Sequence, residues 1–281
     1  MKVIEELKEY THIYVDTLNM ASIEFYSKRT LEFEGRLTGM LYGGLRRVRW
    51  LQKQYPTAQL TFLWEGRSSI RKQKSSLYKA NRTQKADPFL ESLSDLKLAL
   101  NLLRGVYHAS HVGLEADDLA GYFCSTVPSD ARILLVSGDR DWWQFARENV
   151  DFLVRQEIYT SFDLEVRLGY LPQRIGLFKV LRGDASDGVP PAVARFPTTL
   201  ATFLVQNVST VDELFSITHV PAKYVKWMER LRAAEEQVRA NAELVLYQPD
   251  WVDVDRLEVV PSEGDTKRLQ ELLRCRGITS L

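Results

Sequence analysis

Five short apolar runs, rich in β-branched and aromatic residues and each giving way to a polar turn, constrain this chain's fold most. They are HIYVD (12–16), QLTFLW (59–64), VYHASHV (106–112), RILLVS (132–137) and VDFLVR (150–155). Between them lie longer segments with helical spacing, such as Leu93, Leu96, Leu100 and Leu103. This alternation predicts an α/β fold, a mostly parallel sheet flanked by helices. It stops near residue 160, and the segments 162–184 and 210–247 then read as helices joined by short turns with Pro or Gly. The expectation is an α/β domain over 1–160 and a smaller helical domain over 161–281. The C-terminal TKRLQELLRCRGITSL reads as an amphipathic basic helix packing on that second domain.

In open parallel sheets the ligand site lies beyond the carboxyl ends of the strands. Asp16 ends the first run and Glu65 follows the second. Glu115, Asp117 and Asp118 follow the third, and Asp139 and Asp141 the fourth. Taken singly, Asp16, Glu65 and Asp118 are equally well read as helix caps, because carboxylates favour helix N-termini. Caps account for one acid per turn. They do not account for EADD (115–118) or for DRD (139–141), because converging like charges repel unless a cation is present. Oxygen ligands without His or Cys point to a hard metal, Mg²⁺ or Mn²⁺.

Charge is segregated along the chain. Its 37 basic and 37 acidic residues cancel, yet Arg67 to Lys85 (RSSIRKQKSSLYKANRTQK) holds seven cations and no acid. Alone, such a segment is usually a solvated face. Beside a metal cluster it would hold a phosphate backbone and neutralise charge developing on phosphorus. The remaining composition sets bounds: 45% apolar residues support a large core, no run of 18 apolar residues is present, and MKVIEELKEYTHIYVD lacks the features of a signal peptide, so a cytoplasmic address and no membrane partner are expected. Cys124 and Cys275 stand in unrelated contexts, and Cys124 reads as a core residue.

Taken together and in order, YKANR, EADD, SGDRDWWQ and GDASDGVP resemble the 5′ nuclease superfamily: flap endonucleases, bacteriophage 5′ to 3′ exonucleases and the 5′ nuclease domain of bacterial DNA polymerase I. The resemblance runs from about Asp16 to Leu204 and is closest in length to the stand-alone phage enzymes, which suggests a bacterial or phage-infected cell. It implies a basic helical arch at about 66–87 and a Mg²⁺-dependent structure-specific nuclease. This would cut DNA at a 5′ end, flap or nick by a two-metal mechanism, leaving 5′-phosphate and 3′-hydroxyl ends, in replication or repair and as a monomer. It further implies a first metal site of Asp16, Glu65, Glu115 and Asp117, with Asp139 and Asp141 between two sites. Asp184 and Asp187 would complete the second, sharing a helical face, and Asp118 would be a supporting carboxylate. Lys79 and Arg82 would reach the scissile phosphate, and Tyr78 would be placed to stack on a base or to pack. Arg67, Arg71, Lys72, Lys74 and Lys85 would be further DNA contacts from the arch.

Two departures from the family pattern matter. Glu65 stands where relatives have aspartate, which alters ligand geometry. PAVARFPTTL follows GDASDGVP where relatives carry a Gly-rich turn and Lys-Thr, which argues against a K⁺ site and for weaker or differently placed duplex contacts in a degenerate helix-turn-helix-type element. The next helix is expected to begin at Thr198 or Thr199 as N-cap. Trp142 and Trp143 are expected to pack and fix the turn. Readings from other classes are a catalytically weak DNA-binding protein of the same fold and a nuclease acting on RNA in RNA–DNA hybrids. A dehalogenase-type phosphatase needs a second Asp two residues after Asp16, where this chain has Leu18. The four histidines, His12, His108, His111 and His219, lie outside every motif.

Overall fold

The computed structural model describes residues 9–66, 69–82 and 85–280. All five expected strands form: β1 (His12–Asp16), β4 (Gln59–Leu63), β5 (Val106–His111), β6 (Ile133–Val136) and β7 (Val150–Val154). A small hairpin, β2 (Glu32–Phe33) and β3 (Arg36–Leu37), separates the helices α1 (Thr17–Ser27) and α2 (Gly39–Gln54). Among the described residues the main sheet has seven strands in the order β8-β7-β6-β1-β4-β5-β9, where β8 is Glu157–Tyr159 and β9 is Leu257–Pro261. The five central strands run parallel, and both edge strands pair antiparallel.

The chain steps from β1 out to β4 and β5, then returns to the other side of β1 with β6 and β7. Neighbouring strands β1 and β6 therefore lead away in opposite directions, which opens the crevice where doubly wound sheets place ligands. Period-2 alternation sends Ile13 and Val15 to one face and Tyr14 to the other. The first face packs against α1, α2 and α4 (Asp87–Leu102), the long helix expected from the leucine spacing. The second is covered by α5 (Ala116–Thr126) and is continuous with a helical layer.

That layer comprises α6 (Ser161–Leu168), α7 (Ile175–Arg182), α8 (Thr198–Asn207), α9 (Val211–Ser216), α10 (Val225–Ala233) and α11 (Glu235–Val245), after the short α3 (Ser69–Lys74) earlier in the chain. One buried cluster joins Ile133, Leu135 and Phe152 of the sheet to Val180, Leu204, Leu231 and Val238 of these helices. Trp142 and Trp143, in a 3₁₀ turn over Arg140–Phe145, belong to the same cluster, so they pack as expected. No break in the core coincides with residue 160.

Three expectations need correction. The helical region does not run to the C-terminus: β9 returns to pair with β5, and α12 (Thr266–Arg274) packs beside α4, with Leu269 and Leu273 in the α/β core rather than on the helical layer. Edge pairing satisfies the backbone of β5 and buries the apolar side of an otherwise exposed helix. Second, α8 does begin at Thr198, but its N-cap is Pro197, which has no side-chain acceptor for the helix's first amides. Third, Asp184 and Asp187 lie on a turn and not on a helix, because Gly183 at φ +74° ends α7 and an Asp184–Val189 bridge closes the loop.

Candidate active site

The carboxylates converge at the strand ends of the crevice. Asp16 closes β1 and caps α1, accepting from the Asn19 amide at 2.9 Å. Ser137, at the end of β6, donates from its hydroxyl to Asp16 Oδ2 at 2.8 Å and accepts from the Asp139 amide at 3.0 Å, pinning two acids across the switch point. Asp139 in turn accepts from the Asp141 amide at 3.0 Å, so the DRD spacing is that of a turn built on its own acid. Asp16, Glu65, Glu115, Asp117, Asp139, Asp141 and Asp187 line one cleft, with Lys79, Arg82 and Lys179 facing them. Asp184 lies in the adjoining crevice with Asp117, Asp141 and Asp187.

These acids divide by partner. Among the described residues, Asp16, Glu65, Asp117 and Asp139 make no ion pair with a lysine or arginine. The others are neutralised. Lys179 bridges Asp141 and Asp184, the latter at 2.6 Å. Arg82 reaches Asp187 at 2.5 Å, and Lys79 reaches Glu115 at 2.5 Å. Ligand oxygens of Asp141, Asp184 and Asp187 lie within 4.8 Å of one another, as do those of Glu115, Asp117 and Asp118.

The electrostatic consequence is legible in the proton affinities. Burial, with Asp139 adding repulsion, pushes Asp16 up to about 6. Desolvation by the protein behind it, together with Glu115, pushes Glu65 up to about 8, although Glu65 is open to solvent at the cleft mouth and water limits that displacement. Burial and the neighbouring Asp118 raise Asp117 well above the usual carboxylate range, and burial with Asp139 raises Asp141. Burial would raise Glu115 as well, but Lys79 and Arg71 overcome it and hold this carboxyl low. Acids left without cations and forced toward their neutral forms are what a hard divalent ion would relieve, so the donor set fits Mg²⁺ or Mn²⁺.

The basic segment is folded onto the acids. Only Ser69–Lys74 is helical among the described residues of the expected arch, and Arg67 lies outside the described residues. Arg71 is 3% exposed and forms a bidentate pair with Asp118 at 2.6 and 2.7 Å, while donating to the Leu244 carbonyl at 3.0 Å. Asp118, 1% exposed, also accepts from the Glu115 amide at 3.0 Å, so both its oxygens are occupied by protein donors. Tyr78 is 3% exposed and its hydroxyl donates to Glu115 at 2.8 Å; the ring packs, and here it offers no face to a base. Arg71 is likewise an internal tie rather than a free arch cation, because the acid it pairs with is buried. Lys72 and Lys74 are exposed, Lys74 pairing with Glu243 at 2.9 Å, and Lys85 lies over the rings of Phe89 and Tyr26.

Lys79 adopts φ +54°, an uncommon conformation for a side chain of its size, and its amide donates to the Asp187 carbonyl at 2.8 Å. Gly188 permits this approach: a Cβ there would stand 2.3 Å from the Leu77 carbonyl oxygen. Three functional residues escaped the sequence reading. Lys179 was hidden among apolar residues of α7, and its signal was its place five residues before Asp184. Ser137 was legible only as the first residue of SGDRD. Trp251 stacks under Arg71 at 5.2 Å from a region with no motif.

A family model described as the 5′-3′ exonuclease N-terminal resolvase-like domain matches residues 11–169. DNA polymerase I of Mycobacterium bovis is 27% identical over 277 residues, which cover 95% of this chain and 29% of the relative. The chain thus spans less than a third of the polymerase's length. A 5′-3′ exonuclease of Buchnera aphidicola is 25% identical over 219 residues, 76% of each chain. The T5 D15 protein, crystallised with metal ions, superposes with a TM-score of 0.71 at 19% identity, over 94% of this chain and 98% of that one. A second structure, of the T5 D15 flap endonuclease with DNA and metal ions, also superposes at 0.71, with 20% identity over 94% and 99%. No described helix is long and apolar enough to cross a membrane.

Proposed function

Because the chain belongs to the 5′-3′ exonuclease family, whose N-terminal resolvase-like domain it carries, we propose that it is a metal-dependent nuclease acting on DNA at 5′ ends, flaps or nicks. One observation carries this reading. Asp16, Glu65, Asp117 and Asp139 converge without cationic partners in a cleft whose opposite wall presents Lys79, Arg82 and Lys179. A DNA-bound relative with metal ions supports the same substrate class.

Asp16, Glu65, Asp117 and Asp139 would hold a first Mg²⁺ or Mn²⁺, with Glu115 oriented beside them by Tyr78 and Lys79; Asp141, Asp184 and Asp187 would hold a second. When bound, these ions supply Lewis-acid charge to the phosphodiester and to the attacking water. The chain's own cations cover Glu115, Asp141, Asp184 and Asp187 and leave the other four acids to the first ion. Lys79 and Arg82, which pair with Glu115 and Asp187, face the cleft where the scissile phosphate would lie, and there they would grip it and offset charge developing on it. Lys179 sits between Asp141 and Asp184, where it stands in for the positive charge a metal would supply to those acids. Arg71 keeps its place, since Asp118 stays buried, and so holds the basic segment over the cleft. Hydrolysis leaves a 5′-phosphate and a 3′-hydroxyl without a covalent enzyme intermediate.

The test is cleavage of a 5′-labelled flap, a nicked duplex and an RNA–DNA hybrid, each with Mg²⁺ and with EDTA. Mg²⁺-dependent release of short 5′-terminal products is expected. Flap binding without product at any metal concentration would instead identify a DNA-binding protein of this fold.

A further inference from the structure

A second groove, outside the acid cleft, is built from cations and one exposed aromatic ring. It lies between α1, α2 and the turn joining β7 to β8. Its floor is Glu24, 6% exposed, which pairs with Lys28 and lies 3.9 Å from Arg47. Gly43 makes room for that carboxylate: a Cβ on residue 43 would fall 2.0 Å from Glu24 Oε2. The buried acid therefore fixes two cations side by side at the groove base.

Two further cations rim the groove without an acid. Neither Arg46 nor Arg155 has a carboxylate partner among the described residues, and both are exposed. Arg155 sits at φ +61° in a tight turn where Gly or Asn would be unstrained, and its carbonyl accepts from Arg47 at 3.2 Å. Trp50, 40% exposed, completes the wall. Four cations against one acid, with a flat aromatic beside them, match the chemistry of a single nucleic-acid strand: phosphates for the cations and a base for the ring.

Location supports the same ligand. Glu24 is eight residues along α1 from Asp16, about 12 Å at 1.5 Å per residue, so one helix leads from the acid cleft to the groove. We infer that this groove binds a single-stranded DNA segment of the substrate, outside the cleft, with Arg46 and Arg155 on phosphates and Trp50 stacked on a base. The inference rests on the nuclease reading for the identity of the strand, not for the existence of the groove.

The experiment uses the full chain and a fluorescein-labelled single strand of about 20 nucleotides, longer than one typical single-strand site. Fluorescence anisotropy is recorded across a salt series for wild type, Arg46→Ala/Arg155→Ala and Trp50→Ala, with circular dichroism and thermal melts confirming folding of these surface variants. The double variant is expected to bind more weakly, with the slope of log affinity against log salt shallower by about 1.4, at about 0.7 per phosphate contact. Trp50→Ala is expected to lose about 5- to 150-fold in affinity. Where cleavage is present, KM should rise for the double variant with kcat unchanged. Folded variants that bind with wild-type affinity and wild-type salt slope would overturn the inference. A wild type that binds through the groove but never cuts would refute the nuclease reading and leave the groove standing.

Discussion

Asp117 carries the tension of the site: it is half-buried, lacks a cation, and is pushed upward by burial and then by Asp118. Replacing it with Asn removes the repulsion and keeps the shape. We expect Asp117→Asn to lose cleavage while binding DNA, and to melt above wild type in metal-free buffer. Cleavage at the wild-type rate, or a lower metal-free melting temperature, would remove Asp117 from the cluster. Arg71 makes the opposite case. Arg71→Met leaves Asp118 buried and unpaired and should cost about 3–5 kcal/mol in urea unfolding. A loss under about 1 kcal/mol, the ceiling for exposed pairs, would show the tie to be weaker than its geometry suggests. The acids at the strand ends were legible in the residues, because helix capping uses one carboxylate per turn and repulsion disfavours the rest unless a cation gathers them, whereas Asp187 was legible only through the family resemblance of GDASD. The family resemblance alone separates Asp117, a site ligand, from Asp118, a supporting carboxylate; the residues by themselves do not, since which of two adjacent acids turns inward depends on where Arg71 arrives from 47 residues away.

At the level of elements, the contact between the turn 183–189 and residues 77–79 places Lys79 and Asp187 together. Gly188 at φ +73° is the residue that contact depends on. Gly188→Ala should force the Leu77 carbonyl away and, by displacing Lys79 by about 1 Å, lower kcat about 100-fold on a flap substrate. Unchanged kcat in the folded variant would show that Lys79 is placed by other contacts. Strands β1, β4, β5, β6 and β7 were legible from apolar runs bounded by turns. β8 and β9 were not: each is short and largely exposed, and an edge strand is chosen by what lies beside it rather than by its own pattern. The helical reading of 66–87 overran for a related reason. Cations are good helix formers, yet the helix stops after Lys74, and Tyr78 gains more from burial against Glu115 than from continuing it.

For the whole molecule, the raised acids link stability to pH and metal. The folded chain holds Asp16 up to about 6 against an ordinary 3.8, and pushes Glu65 from 4.5 toward about 8, less fully because water reaches it at the cleft mouth. Between those limits the folded state binds protons that the unfolded chain has released, so this contribution is full below about 4 and is lost as pH rises toward 8. Metal-free protein should therefore lose thermal stability from these groups between about pH 5 and 8, and Mn²⁺ should restore it most at the alkaline end, where protons no longer compete for the ligands. A Mn²⁺ effect equal at both ends would contradict this linkage. The sheet and its acidic edge were readable from the sequence because both arise locally, strand by strand. The return of β9 and α12 to the first domain was not, because it depends on a surface that exists only after the sheet has formed. The nuclease reading stands on the unpaired acids being a metal site. Crystals soaked in Mn²⁺ and measured for anomalous scattering test it most directly. A strong peak is expected among Asp16, Glu65, Asp117 and Asp139, with Glu65 in contact; a map with no peak there, in crystals that diffract well, would contradict it.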